Sequence, residues 1–442
     1  MGPLELTTIL QLIDAHHTQT YDICKSLSAI LSNRDEASLS RYVLTFLQRQ
    51  GFTAGILSSR PILLYGEVQY KTAQTLLCYI NYDHEQPSYP QAQTIATSLL
   101  SLLIYQTMLT TRADISPITL KWFLGQKNVP HTSWLQQCIM QQPTLFQTDA
   151  CLWFEPLMRE GTLQRTLLGT SDRLILATGT KGYLSVELHV QTAHNPLHSS
   201  YGAIVPNAAW RLLWALNTLK DQREEILIEG FYDTMVPLED DAFQQLADLP
   251  DTAATQATRW GLPDLLMGLR GKQMHYAHFL TPTCTINLLT SGENAPAHFP
   301  VAPSYHSIPA TARAIVDFYL VPGQDPADIF DKLKQHLRIR GFSDIHVTLR
   351  YAGSPTYTPA HHNFVQQVIQ SAEQVYGRNP ILLPLLPEYV PIQSFTKNPC
   401  PPAIILPLYM PESQDKHADG SKTLWKSSAA HLIYTMLRLG QN

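Results

Sequence analysis

The residues best able to do chemistry stand at the end of one apolar run. Thr75-Leu76-Leu77-Cys78-Tyr79-Ile80 leads into Asn81, Asp83, His84 and Glu85. An apolar stretch of this length that stops at polar residues reads as a buried strand ending at a turn. In an open α/β sheet the carboxyl edge of such strands is where ligands and metals are held. An amide, carboxylates and an imidazole gathered there are suited to coordinating a cation or moving a proton. Asp83 equally suits capping a turn through backbone N–H groups. Other candidates are less well placed. His194 and His198 are four apart, but Asn195-Pro196 lies between them and forbids a helical metal pair. His361-His362 follows Pro359 in a linker and reads as exposed. Cys24, Cys78, Cys138, Cys151, Cys284 and Cys400 include no CxxC pair, which excludes zinc-ribbon and thioredoxin chemistry. Cys78 and Cys151 fall in apolar runs, where a free buried thiol is the expected state.

The elements that must position these residues follow from periodicity. Residues 5–50 carry apolar side chains at helical spacing, and Gly51 suits the position just past a helix end. Short strands are predicted at 53–57, 62–64 and 76–80, then a helix at 91–109 and buried strands at 118–124 and 150–154. Strand, helix and strand at this spacing imply βαβ units and a largely parallel sheet. The texture changes near residue 180. Residues 183–191 and 283–289 alternate, 310–320 and 345–351 read as strands, and helices are predicted at 208–219 and 325–337. Two rounds of strand, helix, strand make a ferredoxin-like α+β unit. After Pro359 the first texture returns, with helices at 364–376 and 424–439 and a strand at 404–408. The smaller unit therefore reads as an insertion, with 1–182 and 354–442 forming one α/β domain and 183–353 the other.

Composition narrows the function classes. The chain has 442 residues, 44% hydrophobic and 9% aromatic, which is enough for two domains with sizeable cores. Charged residues are only 15% and the net charge is -5, which gives no footprint for nucleic acid or anionic lipid. The scattered cysteines fit a reducing cytoplasm. The first residues lack a basic region and predict no signal peptide, and Leu6 breaks the myristoylation pattern. The most apolar helical run, 96–108, is shorter than the roughly 20 residues a bilayer span takes.

Several segments, in order, resemble the M20 family of zinc-dependent exopeptidases and deacylases, in particular its carnosinase and dipeptidase branch. They are Leu197-His198-Ser199-Ser200-Tyr201-Gly202 with Val205-Pro206-Asn207, Gly230-Phe231-Tyr232-Asp233 with Val236-Pro237-Leu238, and Leu320-Val321-Pro322-Gly323-Gln324-Asp325-Pro326. The resemblance implies a zinc-exopeptidase-type α/β domain with a mixed sheet and helices on both faces. An inserted ferredoxin-like lid would mediate dimerisation. It also implies two zinc ions that polarise an amide carbonyl and activate a water, with a glutamate as base.

Set against that pattern, the ligand positions are altered. Asn81 stands where the family has its first His, and a neutral amide is a poor zinc ligand. Asp83 is kept, but residues 87–93 contain no acid for the bridging position. The Glu-Glu pair corresponds to Gly125-Gln126-Lys127-Asn128, and the next Asp ligand to Glu155. His417 matches the late His. On the substrate side, the resemblance assigns His198 to oxyanion stabilisation across a dimer and keeps Asn207. Tyr319 replaces an Arg, Tyr389 falls in the loop that is glycine-rich in the family, and Lys127 could bind a substrate carboxylate. His198 could also simply shape a loop, and Tyr319 and Tyr389 could serve as bulk. The expectation is an M20-like pseudoenzyme with Asp83, Glu155 and His417 as remnant ligand positions. It would bind a peptide, an amino-acid conjugate or another amide, as a homodimer, with no cofactor or at most one zinc. The alternatives are an amide hydrolase or acyl-transfer enzyme with a one-metal or metal-free site, and a structural dimerisation partner.

Overall fold

The computed structural model describes residues 6–71, 74–84, 89–126, 133–155, 173–238, 240–247, 249–292, 306–395, 401–407 and 418–441. Helices α1 (Leu6–Ala15), α2 (His17–Ser32) and α3 (Glu36–Arg49) open the fold. Asp35 caps α3 by accepting the Ser38 N–H at 3.0 Å, and Gly51 takes φ +82° just beyond its end.

The larger sheet has eight strands in the order β1-β2-β4-β3-β5-β16-β6-β15. These are β1 (Thr53–Ser59), β2 (Ile62–Val68), β3 (Thr75–Tyr82), β4 (Thr119–Gln126), β5 (Ala150–Glu155), β6 (Ile175–Ala177), β15 (Ile381–Leu383) and β16 (Ala403–Pro407). Strands β4, β3, β5 and β16 run parallel, whereas β1–β2, β2–β4 and β16–β6 pair antiparallel, so the sheet is mixed. One face packs on α2, α4 (Tyr89–Thr111), α12 (Asn363–Tyr376) and α13 (Ala418–Leu439). The other carries α5 (Ser133–Gln141) and α6 (Pro143–Phe146). Strands covered on both faces read as continuous apolar runs, and β3 and β4 do.

Helix α4 corrects one expectation. It contains a 21-residue segment, Gln91–Thr111, that is long and apolar enough to cross a membrane. The shorter estimate failed because Thr, Ser and Gln punctuate the run without ending the helix. Here α2 and α13 flank it, and Ile95, Leu99, Leu102, Tyr105 and Met108 are buried in the core.

The second sheet is four-stranded and wholly antiparallel, in the order β10-β12-β8-β13. Its strands are β8 (Gly182–Gln191), β10 (Thr283–Ser291), β12 (Thr311–Leu320) and β13 (His346–Gly353). Helices α7 (Ala208–Leu216) and α11 (Pro326–Ile339) cover one face, against Leu184, Val186, Leu188, Val316 and Phe318. That topology is the ferredoxin-like one the alternation implied. Three helices between α7 and β10 have no counterpart in the sequence reading: α8 (Asp240–Ala247), α9 (Ala253–Arg259) and α10 (Gly271–Leu280). Two small pairings complete the unit: β9 (Leu197–His198) with β11 (Ser307–Ile308), and β7 (Gly179–Thr180) with β14 (Thr356–Tyr357) where the chain crosses between the sheets.

Candidate functional site

The carboxyl ends of the parallel strands lie level. Asn81 pairs with Gly125 and Tyr82 with Gln126, Ile80 with Phe154, and Pro407 with Glu155. Asn81 and Asp83 are both only 9% exposed. Gln126 reaches sideways to the start of β2, its Oε1 accepting the Ile62 N–H at 3.2 Å. His84 places Nδ1 3.4 Å from the Glu36 carboxylate. Below this edge the sheet face is filled with rings: Tyr79 stacks on Trp153 at 4.1 Å, and Phe123 on Phe146 at 4.8 Å. A Cβ on Gly125 would meet the Tyr79 hydroxyl at 1.8 Å, so the glycine is what admits that tyrosine. Lys121 is buried beneath, donating to the carbonyls of Thr144 and Gln147 at 2.9 and 2.7 Å. Burial lowers its pKa, partly opposed by Glu67 at 3.5 Å.

Glu155 ends β5, with its side chain outside the described residues; Lys127 and His417 lie outside them altogether. Among the described residues no three of His, Cys, Asp and Glu are gathered where they could share a metal. Asn81 offers a neutral oxygen, and the Gln126 oxygen already accepts a backbone N–H. The described part of this edge thus offers neutral amides beside Asp83, and neutral amides are poor zinc ligands.

Tyr319 and Tyr389 are brought together elsewhere, on the lid face that α7 and α11 leave open. Tyr183 of β8 pairs across with Tyr319 of β12, their rings 5.3 Å apart. Tyr389 reaches onto the same face, 6.3 Å from Tyr183 and 5.6 Å from Tyr351. Gly353 makes room for it, since a Cβ there would sit 2.3 Å from the Tyr389 ring. The Tyr389 hydroxyl accepts the Gln393 amide N–H at 3.3 Å, and burial, with Tyr351 beside it, pushes its pKa well up. Next to Tyr319 in the alternation is Asp317, whose Oδ2 accepts the Tyr183 hydroxyl at 2.6 Å. At the crossing, Lys181 is 1% exposed and donates to the carbonyls of His278 and Thr281 at 2.8 and 2.6 Å. Burial pulls its pKa down to about 7 and that of His278 to about 4. Sequence reasoning did not single out Asp317, Tyr183 or Lys181. Each sits inside a strand-like run or beside one, where only pairing partners reveal a role.

His198 is exposed on the lid, in β9, its Nδ1 2.9 Å from the Ser200 hydroxyl and accepting the Ser200 N–H. Asn207 caps α7, its Oδ1 accepting the Ala209 and Trp210 N–H groups at 2.9 and 3.3 Å. Cys24, Cys78, Cys138, Cys151 and Cys284 are free thiols, and burial pushes Cys78 up to about 12.

Residues 178–344 match the family model of the M20 peptidase dimerisation domain. Solved structures agree over the whole chain. A M20 family metallo-carboxypeptidase, Sso-CP2 of Sulfolobus solfataricus, is similar at 23% identity and TM-score 0.70, over 91% of this chain and 95% of that one. Human carnosine dipeptidase 1 is similar at 14% identity and TM-score 0.71 over 100% of both chains. The di-peptidase Dug1p of Saccharomyces cerevisiae is similar at 18% identity and TM-score 0.67 over 98% of both. No curated protein matches by sequence. The fold and the matched domain define the class: this is a chain with the M20 metallopeptidase fold, carrying an M20 peptidase dimerisation domain in its inserted sheet.

Proposed function

We propose that this chain binds a peptide or amide-type small molecule between the strand ends and the lid, without the two-zinc hydrolysis of M20 enzymes. The observation that carries the reading is the strand edge itself. It presents Asn81 where the resemblance assigns a His, and Gln126, bonded to Ile62, within the stretch 125–128 where the resemblance assigns the Glu-Glu pair. A metal-bound water needs anionic or imidazole donors around it and a free base beside it. Of the ligand positions that the resemblance assigns, Asp83 is the one whose described side chain is an acid or an imidazole. Glu155 and His417 are the remaining donor positions, and three scattered donors would hold one metal at most. In this reading the main domain comprises 1–182 and 354–442, the lid 183–353, and Tyr319, Tyr389, Asn207, Lys127 and His198 line the binding region.

The test combines metal analysis with an activity assay on protein purified without chelator. The expected result is no zinc, manganese or cobalt at stoichiometric level and no release of amino acids from a dipeptide panel, alongside ligand-induced thermal shifts with some of the same dipeptides. Stoichiometric metal together with hydrolysis overturns the proposal in favour of a remodelled hydrolase.

The lid also supports a homodimer, in a reducing compartment such as the cytoplasm. Helix α7 exposes Trp210, Leu213 and Trp214, with Ile204 just before it. A cluster of large exposed apolar residues on one helix marks a surface to be covered. Sedimentation of Trp210→Ser/Trp214→Ser against the native chain reads the association directly. The variant is expected to sediment as a monomer, and an unchanged profile removes α7 as the contact.

A further inference from the structure

We propose that the open face of the lid sheet holds an organic ammonium group against Asp317, walled by Tyr183 and Tyr319. This rests on the cleft-binding reading above and adds the chemical class of the ligand. Asp317 is 6% exposed. Its Oδ2 is saturated, accepting the Tyr183 hydroxyl at 2.6 Å and an N–H of the Asn287 amide. Its Oδ1 is buried and has no hydrogen-bond partner. Both donors are neutral. Arg313, a described cation on the same face, lies 3.9 Å from Glu187 instead, four residues from Asp317 along β12. A carboxylate withdrawn from water with one oxygen unanswered is costly, and a cation delivered by a ligand relieves that cost.

The donor geometry selects the cation. A guanidinium binds a carboxylate best through both oxygens at once, and Oδ2 is already occupied. An ammonium is a compact point charge that needs only one free oxygen and carries donors without acceptors. A divalent metal would need several anionic or imidazole ligands, and the side chains bonded to Asp317 are a phenol and an amide. The rings complete the fit, because the face of a tyrosine attracts a cation. Tyr183 and Tyr319 both remain partly exposed beside Asp317. The amino terminus of a peptide, or the amine of an amino-acid conjugate, has this chemistry.

Titration calorimetry on the full chain tests it, with a panel of dipeptides each compared with its own N-acetyl form. Acetylation removes the charge and leaves the rest of the molecule. Free-amine forms are expected to bind about ten- to a hundredfold tighter than their acetylated partners, the range for a hydrogen bond to a charged group. Asp317→Asn should abolish that preference while leaving the affinity for acetylated forms unchanged. Tyr319→Leu, at a partly exposed ring, is the second variant should Asp317→Asn fold poorly. It is expected to weaken free-amine binding about two- to fivefold more than it weakens acetylated binding. Equal binding of free and acetylated forms overturns the ammonium proposal while the cleft-binding reading stands. The same holds if the preference survives in Asp317→Asn. Binding of neither form overturns both.

Discussion

Two polar regions of this molecule use their groups in opposite ways. At the carboxyl edge of the large sheet, the Gln126 amide bonds the backbone of Ile62, and His84 lies beside Glu36. Below that edge, Tyr79, Trp153, Phe123 and Phe146 form packed rings. On the open face of the lid sheet, by contrast, Asp317 keeps one oxygen without a partner and tyrosines keep an exposed edge. Gln126 and His84 at the edge are thus answered within the chain, whereas Asp317 on the lid face keeps one oxygen unanswered. The difference teaches that burial does not tell a satisfied polar group from an unsatisfied one; the partners that other strands bring in do.

The comparison can be broken most sharply at the ring stack. Trp153→Ala removes a buried ring from beneath the strand ends. It is expected to cost about 3–5 kcal/mol in denaturant unfolding. A cost under about 1 kcal/mol would mean the edge is not held by that packing. On the lid side, Gly353→Ala forces a Cβ to within 2.3 Å of the Tyr389 ring. A loss of about 1–3 kcal/mol is expected, accompanied by faster hydrogen exchange in both 384–392 and β13, because the ring joins the two.

Lys181, at the crossing, gives a pH signature. Its pKa falls from 10.5 in the free side chain to about 7 in the folded chain, through burial. Between those values the unfolded chain binds the proton that the folded chain has released. Stability therefore rises with pH across this window, and the penalty is fully present below about pH 7. Lys181→Met should flatten the slope of stability between pH 7 and 10 relative to the native chain. An unchanged slope would show that the two carbonyls of the α10 end hold the ammonium charged throughout. The smallest expected effect is at the strand edge. Gln126→Leu removes one hydrogen bond to Ile62 and should cost about 0.5–1.5 kcal/mol. A gain in dipeptide binding or metal uptake in that variant would contradict an edge answered within the chain.

Much of the fold was legible because each element carries its own periodicity. The predicted strand 76–80 became β3 with three more residues, 183–191 became β8 with one more, and 364–376 became α12 almost unchanged. The insertion of one sheet within the other was legible in the switch from continuous apolar strands to alternating ones. The stretch 240–280 was not legible. Ala253–Arg259 has little apolar content to pattern, and Gly271–Leu280 carries a weak amphipathic signal. The candidate site was legible only where single residues depart from a known pattern. Asn81 and Gln126 could be named from the chain, but the Gln126 bond to Ile62 joins residues 64 apart in the chain and has no sequence signal. Gly353 at the end of a strand was a signal of close approach, though not of which side chain approaches.

Taken alone, the sequence determines which segments are strands and helices, that one domain interrupts another, and which residues stand at the ends of the buried strands. Local periodicity and turn chemistry fix those, because they act between residues close in the chain. The tertiary structure decides which polar groups are satisfied and which are left over. Asp317 was an ordinary residue until β8 and β10 were folded against it, and Tyr389 was a candidate without partners until the segment 384–392 met the lid sheet. Whether a carboxylate is paired or lone depends on donors brought in from other strands, and that pairing exists only when the sheet is assembled.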